Sequence, residues 1–163
     1  EPEVSWNFAD NDKGLWNLRV LGEVVRGELT GSGTREVAFA VPHGDHTHDY
    51  TAELSRGGNL PRIAPSRLGG EVSWELGRWR ASVGATRYAK QDDVASYETT
   101  TPGYTLVDAH VAWHQDTKAG NAWELFLDGS NLLDEEARVH TSFLKDVAPL
   151  PGRGVAFGVR AFF

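Results

Sequence analysis

The ten residues Arg67–Leu76 read RLGGEVSWEL, and their order decides the fold class. Leu68, Gly70, Val72, Trp74 and Leu76 fall on one side of an extended chain; Arg67, Gly69, Glu71, Ser73 and Glu75 fall on the other. Successive strand side chains point to opposite faces, so this alternation predicts a half-buried strand. The pattern resumes after Gly77 and Arg78, where Trp79, Ala81, Val83 and Ala85 oppose Arg80, Ser82, Gly84, Thr86 and Tyr88. Two such runs around a glycine-bearing break predict a hairpin.

Working outward, the same period recurs. Thr105, Val107, Ala109, Val111 and Trp113 stand against Asp108, His110 and His114. Trp123, Leu125 and Leu127 oppose Glu124, Phe126 and Asp128. Val155, Phe157, Val159, Ala161 and Phe163 oppose Ala156, Gly158, Arg160 and Phe162. A longer strand is expected over residues 15–28, with Trp16, Leu18, Val20, Gly22 and Val24 on its apolar face, and the remnant of another over 3–8. The expectation is an all-β protein of about seven antiparallel strands.

Composition narrows the classes further. The chain has 163 residues and no cysteine, which excludes a disulfide framework, a thiolate zinc site and a cysteine nucleophile. Its 23 acidic and 16 basic residues leave a net charge of -7, which argues against a nucleic-acid partner. No apolar run approaches the roughly 18 residues of a membrane helix, but membrane strands are only half apolar and are not excluded. The absence of methionine, with Glu1 opening the chain, leads us to expect a processed chain or a piece of a longer one.

Short connections at 75–78 and 115–121 alternate with long ones at 30–65, 90–102 and 133–151. An up-and-down meander with tight turns at one rim and long loops at the other has this signature, as outer-membrane barrels do. Trp16, Trp74, Trp79, Trp113 and Trp123 sit beside the short turns and read as an aromatic girdle at a bilayer interface. The same tryptophans would equally fill the base of a soluble barrel. Arg67, Glu71, Glu75, Arg80, Asp108, His110, Glu124, Asp128 and Arg160 on the polar faces would then line a wet lumen. Single-chain bacterial barrels have even strand numbers. Seven strands therefore suggest a fragment of a larger barrel; the rival is a complete eight-stranded barrel that counts 35–41 or 49–54 as a strand.

Five segments, in order, carry a family resemblance: GNLPRIAPSRLGGEVSWEL (58–76), WRASVGATRYAKQDD (79–93), GYTLVDAHVAWH (103–114), LFLDGSNLLDEEARVHTSFLKDVAPLPGR (125–153) and the terminal GVAFGVRAFF. Together they resemble the C-terminal portion of TonB-dependent outer-membrane receptors across nearly the whole chain. The resemblance implies an antiparallel transmembrane barrel of about 22 strands, of which residues 1–163 supply roughly the last third. It also implies a location in the bacterial outer membrane, against its lipid, and a transport role rather than an enzymatic one. The energy-coupling protein TonB would act through a plug domain that is absent from this chain. The barrel-assembly machinery would recognise the last strand, with Phe163, Ala161, Val159, Phe157 and Val155 at alternate positions. The rival from another class is a small non-transporting barrel with an adhesive or structural role; a soluble lipocalin-like binder is a third.

No catalytic constellation is legible. There is no Gly-x-Ser-x-Gly elbow, and His110 and His114 lie on a strand, where a spacing of four has no helical meaning. Asp108 and His110 are expected in a hydrogen-bonded network on the barrel wall, and Glu135, Glu136 and Arg138 in a solvated loop or plug-facing cluster. Gly31, Ser32 and Gly33 form a loop element, not a phosphate cradle, because no helix follows. The segment PHGDHTHDY, residues 42–50, differs from everything around it. His43, His46 and His48 with Asp45 and Asp49 are the borderline ligands that suit zinc or another transition metal. We expect them at the tip of a small outer hairpin of 36–41 and 49–54, meeting a transported metal ion, zinc or an iron-siderophore type of chelate; no resident cofactor is required.

Overall fold

Uninterrupted alternation becomes strand throughout. The computed structural model describes residues 2–43, 46–117 and 120–163, with backbone only for residues 29, 31–43 and 46–57. The strands are β1 (Glu3–Asn11), β2 (Gly14–Glu23), β3 (Glu28–His43), β4 (His46–Asn59), β5 (Arg67–Leu76), β6 (Trp79–Tyr88), β7 (Tyr104–Asp116), β8 (Ala122–Ser130) and β9 (Gly154–Phe162). Seven of them form one sheet in the order β1-β2-β5-β6-β7-β8-β9, every neighbouring pair antiparallel. β3 and β4 form a separate two-stranded sheet inserted between β2 and β5. The protein is all-β and antiparallel, with no helix among the described residues.

Register carries the alternation across the whole sheet. Trp16 pairs with Trp74, Trp74 with Ala81, Ala81 with Val111, Val111 with Leu127, and Leu127 with Phe157, all of the apolar set. One face of seven strands is therefore apolar, and no protein layer covers it among the described residues: Leu68 is 63%, Val83 51% and Phe157 71% exposed. Among the described residues the buried apolar side chains are just Ala95, Tyr104, Ala112 and Ala137. A sheet with so little protein core and so broad an apolar face requires an apolar solvent on that face.

The turns explain the shape of the short rim. Gly14 follows the two-residue turn between β1 and β2 at φ +112°, and an added Cβ would lie 2.5 Å from the Glu75 carbonyl oxygen and from the Trp74 indole nitrogen. That indole donates to the Lys13 carbonyl at 2.8 Å, tying the first turn to β5. This turn was not expected from sequence, and β1 reaches Asn11 rather than ending near residue 8.

Two further expectations are corrected. β2 ends at Glu23, not at 28, because its last ladder partner is Arg67 and β5 begins there. The inserted hairpin is longer than 36–41 and 49–54, spanning Glu28–His43 and His46–Asn59, with a register irregularity between Leu29 and Gly33 that the strand survives. Since this hairpin does not join the main sheet, it supplies no eighth wall strand, and β1 does not pair with β9.

Candidate functional site

The polar face of the sheet is a connected array of charges. Arg19 meets Glu71 at 3.3 Å, and Arg67 meets Glu23 at 2.7 Å. Arg160 donates to Glu124 at 2.6 Å, while Arg80 approaches the second oxygen of that carboxylate at 3.9 Å. Glu124 is buried between the two guanidiniums, which compensate its charge. Asp108 and His110, expected in one wall network, each bond a different partner: His110 Nδ1 bonds Asp128, and Asp108 accepts from the Asn131 amide at 2.9 Å. Phe126 lies on this face too, with the His110 ring stacked beside it and the Arg160 guanidinium 4.5 Å above its centre.

At the long-loop rim, three connections converge on one carboxylate. Glu98 accepts from the Arg62 amide at 3.0 Å and from the Ala95 amide at 3.4 Å. Its oxygens also meet Lys145 Nζ at 3.3 Å and His140 Nε2 at 3.2 Å. His140 is 1% exposed, and its Nδ1 lies 2.9 Å from the Thr101 hydroxyl. Lys145 Nζ also donates to the Thr99 carbonyl, and the Thr99 hydroxyl donates to Asp146 at 2.7 Å.

The burial of these charges sets their protonation. Burial alone would push the Glu98 carboxyl up, but the Arg62 amide, Lys145 and the Ala95 amide together outweigh it and hold the group below the ordinary glutamate range. Burial, with Lys145 beside it, pushes His140 below the ordinary histidine value, against the opposing pull of Glu98 and Asp146. A depressed folded-state value means the folded form binds fewer protons, so both groups stabilise the rim at neutral pH and cease to do so in acid.

Beside this cluster, at the root of the β3–β4 hairpin, a cleft of about 370 Å³ is lined by Arg26, Glu28, Asn59, Lys90, Gln91 and Asp93 among others. Its walls are polar and of mixed charge.

Residues 3–132 match the family described as TonB dependent receptor-like, beta-barrel. The chain belongs to that family. A TonB-dependent receptor barrel is the wall of a transporter in the bacterial outer membrane, and this location assigns the two faces: lipid against the apolar one, the lumen against the polar one. Short turns then face the periplasm and long connections the exterior. Trp16, Trp74, Trp79, Trp113 and Trp123 lie on the lipid face, close to the periplasmic turns.

Within the receptor barrel, the sequence-predicted residues divide into three groups. The Asn-Leu-Leu-Asp exit of β8, which carried part of the resemblance, acts as a loop anchor. Asn131, at φ +47°, bonds the Glu135 amide at 3.0 Å and the Glu135 and Pro151 carbonyls at 2.9 and 3.1 Å. Asp134 accepts from the Arg153 amide at 2.8 Å. Glu136 pairs with Arg138 at 2.7 Å at the surface, as expected of a solvated loop.

The side chains of the expected metal set, His43, Asp45, His46, His48 and Asp49, lie outside the described residues. The backbone register is described, and it pairs His43 with His46, Val41 with His48, and Ala40 with Asp49.

Sequence reading missed Glu98, His140 and Lys145 altogether. Glu98 lies 47 residues from Lys145, in loops with no periodic signal, so nothing in the chain announces their meeting.

Proposed function

We propose that this barrel belongs to a receptor that imports a metal ion or metal chelate, of the zinc or iron-siderophore class. The histidines of the outer hairpin are its point of capture. The observation that carries the reading is the hairpin register. Directly opposed positions and next-but-one positions of an antiparallel ladder share a face. His43 opposite His46, with His48 two further along, therefore gathers three imidazole-bearing positions on one face of the hairpin end. Asp45 and Asp49 neighbour these histidines in sequence and are proposed to complete the set, Asp49 from the opposite face of the hairpin. Capture needs no chemistry at the cargo, only differential affinity, and TonB acting through a plug in the lumen supplies the release.

The terminal strand fits a second part of the proposal, recognition by the barrel-assembly machinery. β9 is an edge strand of the main sheet, its lipid face formed by Val155, Phe157, Val159 and Ala161. An edge offers unpaired backbone groups, which a recognising strand can use.

The test is calorimetric titration of zinc into the folded protein in detergent micelles, beside a His43→Ala, His46→Ala, His48→Ala triple variant. The wild type is expected to bind zinc and the variant to lose that heat. Binding should weaken as pH falls through about 6.5, where imidazoles take up protons and cease to be ligands. Equal zinc binding by both proteins would remove the hairpin from capture.

A further inference from the structure

The outer connections 60–66, 89–103 and 131–153 are tied pairwise at several points, and all three meet at Glu98. Glu98 receives the Arg62 amide from the first connection, the Ala95 amide from its own, and His140 and Lys145 from the third. We propose that this cluster is an acid-released latch, in which the three connections close as one unit at neutral pH and protonation of His140 lets them part together.

The geometry dictates the neutral form. A carboxylate has only lone pairs to offer, so the His140 Nε2 at 3.2 Å must carry a proton and donate it to Glu98. In neutral imidazole, Nδ1 is then an acceptor, and the Thr101 hydroxyl donates to it. A second proton turns that acceptor into a donor facing a hydroxyl, inside a site where His140 is 1% exposed. It also sets an imidazolium beside the Lys145 ammonium, which already shares the Glu98 carboxylate. The groups that face His140 are Glu98 from 89–103 and Lys145 and Asp146 from 131–153. From 60–66 the charged residue is Arg62, whose amide holds Glu98 while its guanidinium sits 3.0 Å over the Phe143 ring. The Glu98 carboxylate would then face the Lys145 ammonium and an imidazolium together in a site closed to water, and opening readmits water.

The sign follows from the lowered value of His140. Closure is at full strength above the ordinary histidine value of about 6.5, and each pH unit below it weakens closure by up to about tenfold until the closed-state value is passed. A latch governed by Glu98 alone would hold until about pH 4.5, since its carboxyl is likewise held low.

The experiment is hydrogen exchange on the folded protein in lipid vesicles, corrected for intrinsic rates, from pH 7.5 to 4.5. Wild type is expected to lose protection together in 89–103 and 131–153, starting near pH 6.5, while β5 to β8 stay protected. His140→Gln keeps a donor for Glu98 and an acceptor for Thr101 but cannot titrate, so its loops should hold until about pH 4.5. Separate loss in the two loops, a flat wild-type profile above pH 4.5, or a variant that responds as wild type does would each overturn the latch. The wild-type onset alone decides the matter should the variant fail to fold.

Discussion

Gly158→Val should unfold the β8–β9 end of the wall at markedly lower denaturant than wild type. Gly158 is the ladder partner of Phe126, and the end of the aromatic ring lies over it. A Cβ at Gly158 would stand 2.2 Å from Phe126 Cζ and 2.6 Å from Cε1, so the ring must leave. Leaving also abandons its stack with His110 and the Arg160 guanidinium above it. Overpacking of this kind costs about 1–3 kcal/mol, and the loss of the cation–π contact adds about 0.5–1 kcal/mol. A cross-strand glycine–aromatic pair helps to pin the register of a curved sheet. Urea unfolding of the folded barrel in vesicles measures the effect. The Gly158→Val, Phe126→Ala double variant should recover part of the loss, because the steric conflict is gone. Should the single variant unfold at the wild-type concentration, the ring does not rest on the glycine.

How far the sequence reveals this architecture depends on where each interaction originates. The wall strands are legible because their faces alternate with period two, and a one-residue slip would turn Trp74 and Val72 into the lumen. The strand ends are less so. Nothing in Val24 or Val25 says that β2 has stopped; what stops it is the start of β5 at Arg67, which leaves them unpartnered. The inserted hairpin exceeds its predicted length because Gly31 and Gly33 read as loop residues, yet the ladder resumes at Gly33 opposite Arg56. The latch is not legible at all. Glu98, His140 and Lys145 look like solvated loop charges in the chain, and only the convergence of three connections buries them. Their compensation is geometric, and geometry between aperiodic segments leaves no trace in residue order. The hallmark Asn131 stands between these cases. Its place in a family-like segment is visible in sequence, while the reason for it, a left-handed residue that fastens a long loop by its side chain, requires the fold.

The assignment of the two faces yields the second large effect, a contrast between neighbouring positions of one strand. Gly70 pairs with Val20 and Ala85 on the lipid face, away from both ends of β5, and an added Cβ there would meet just the Arg19 carbonyl oxygen, at 3.7 Å. Gly70→Arg therefore fits sterically, and its cost is that of a guanidinium in hydrocarbon, about 2–4 kcal/mol near the midplane. Ser73 pairs with Asn17 and Ser82 on the lumen face, with Glu71 and Glu75 at the next-but-one positions. Ser73→Arg places the same side chain in water beside two carboxylates, so its cost should stay within about 0.5 kcal/mol, the ordinary range for a surface substitution. Reversible unfolding of both variants in vesicles of one lipid composition compares them directly. The difference should shrink when both are measured in the thinner, more compliant shell of a detergent micelle, because the hydrocarbon penalty is a property of the bilayer rather than of the strand. Equal costs in vesicles would mean that the charged face of β5 and its apolar face meet the same solvent. The array of Arg19, Glu71, Arg80, Glu124 and Arg160 would then not line a lumen.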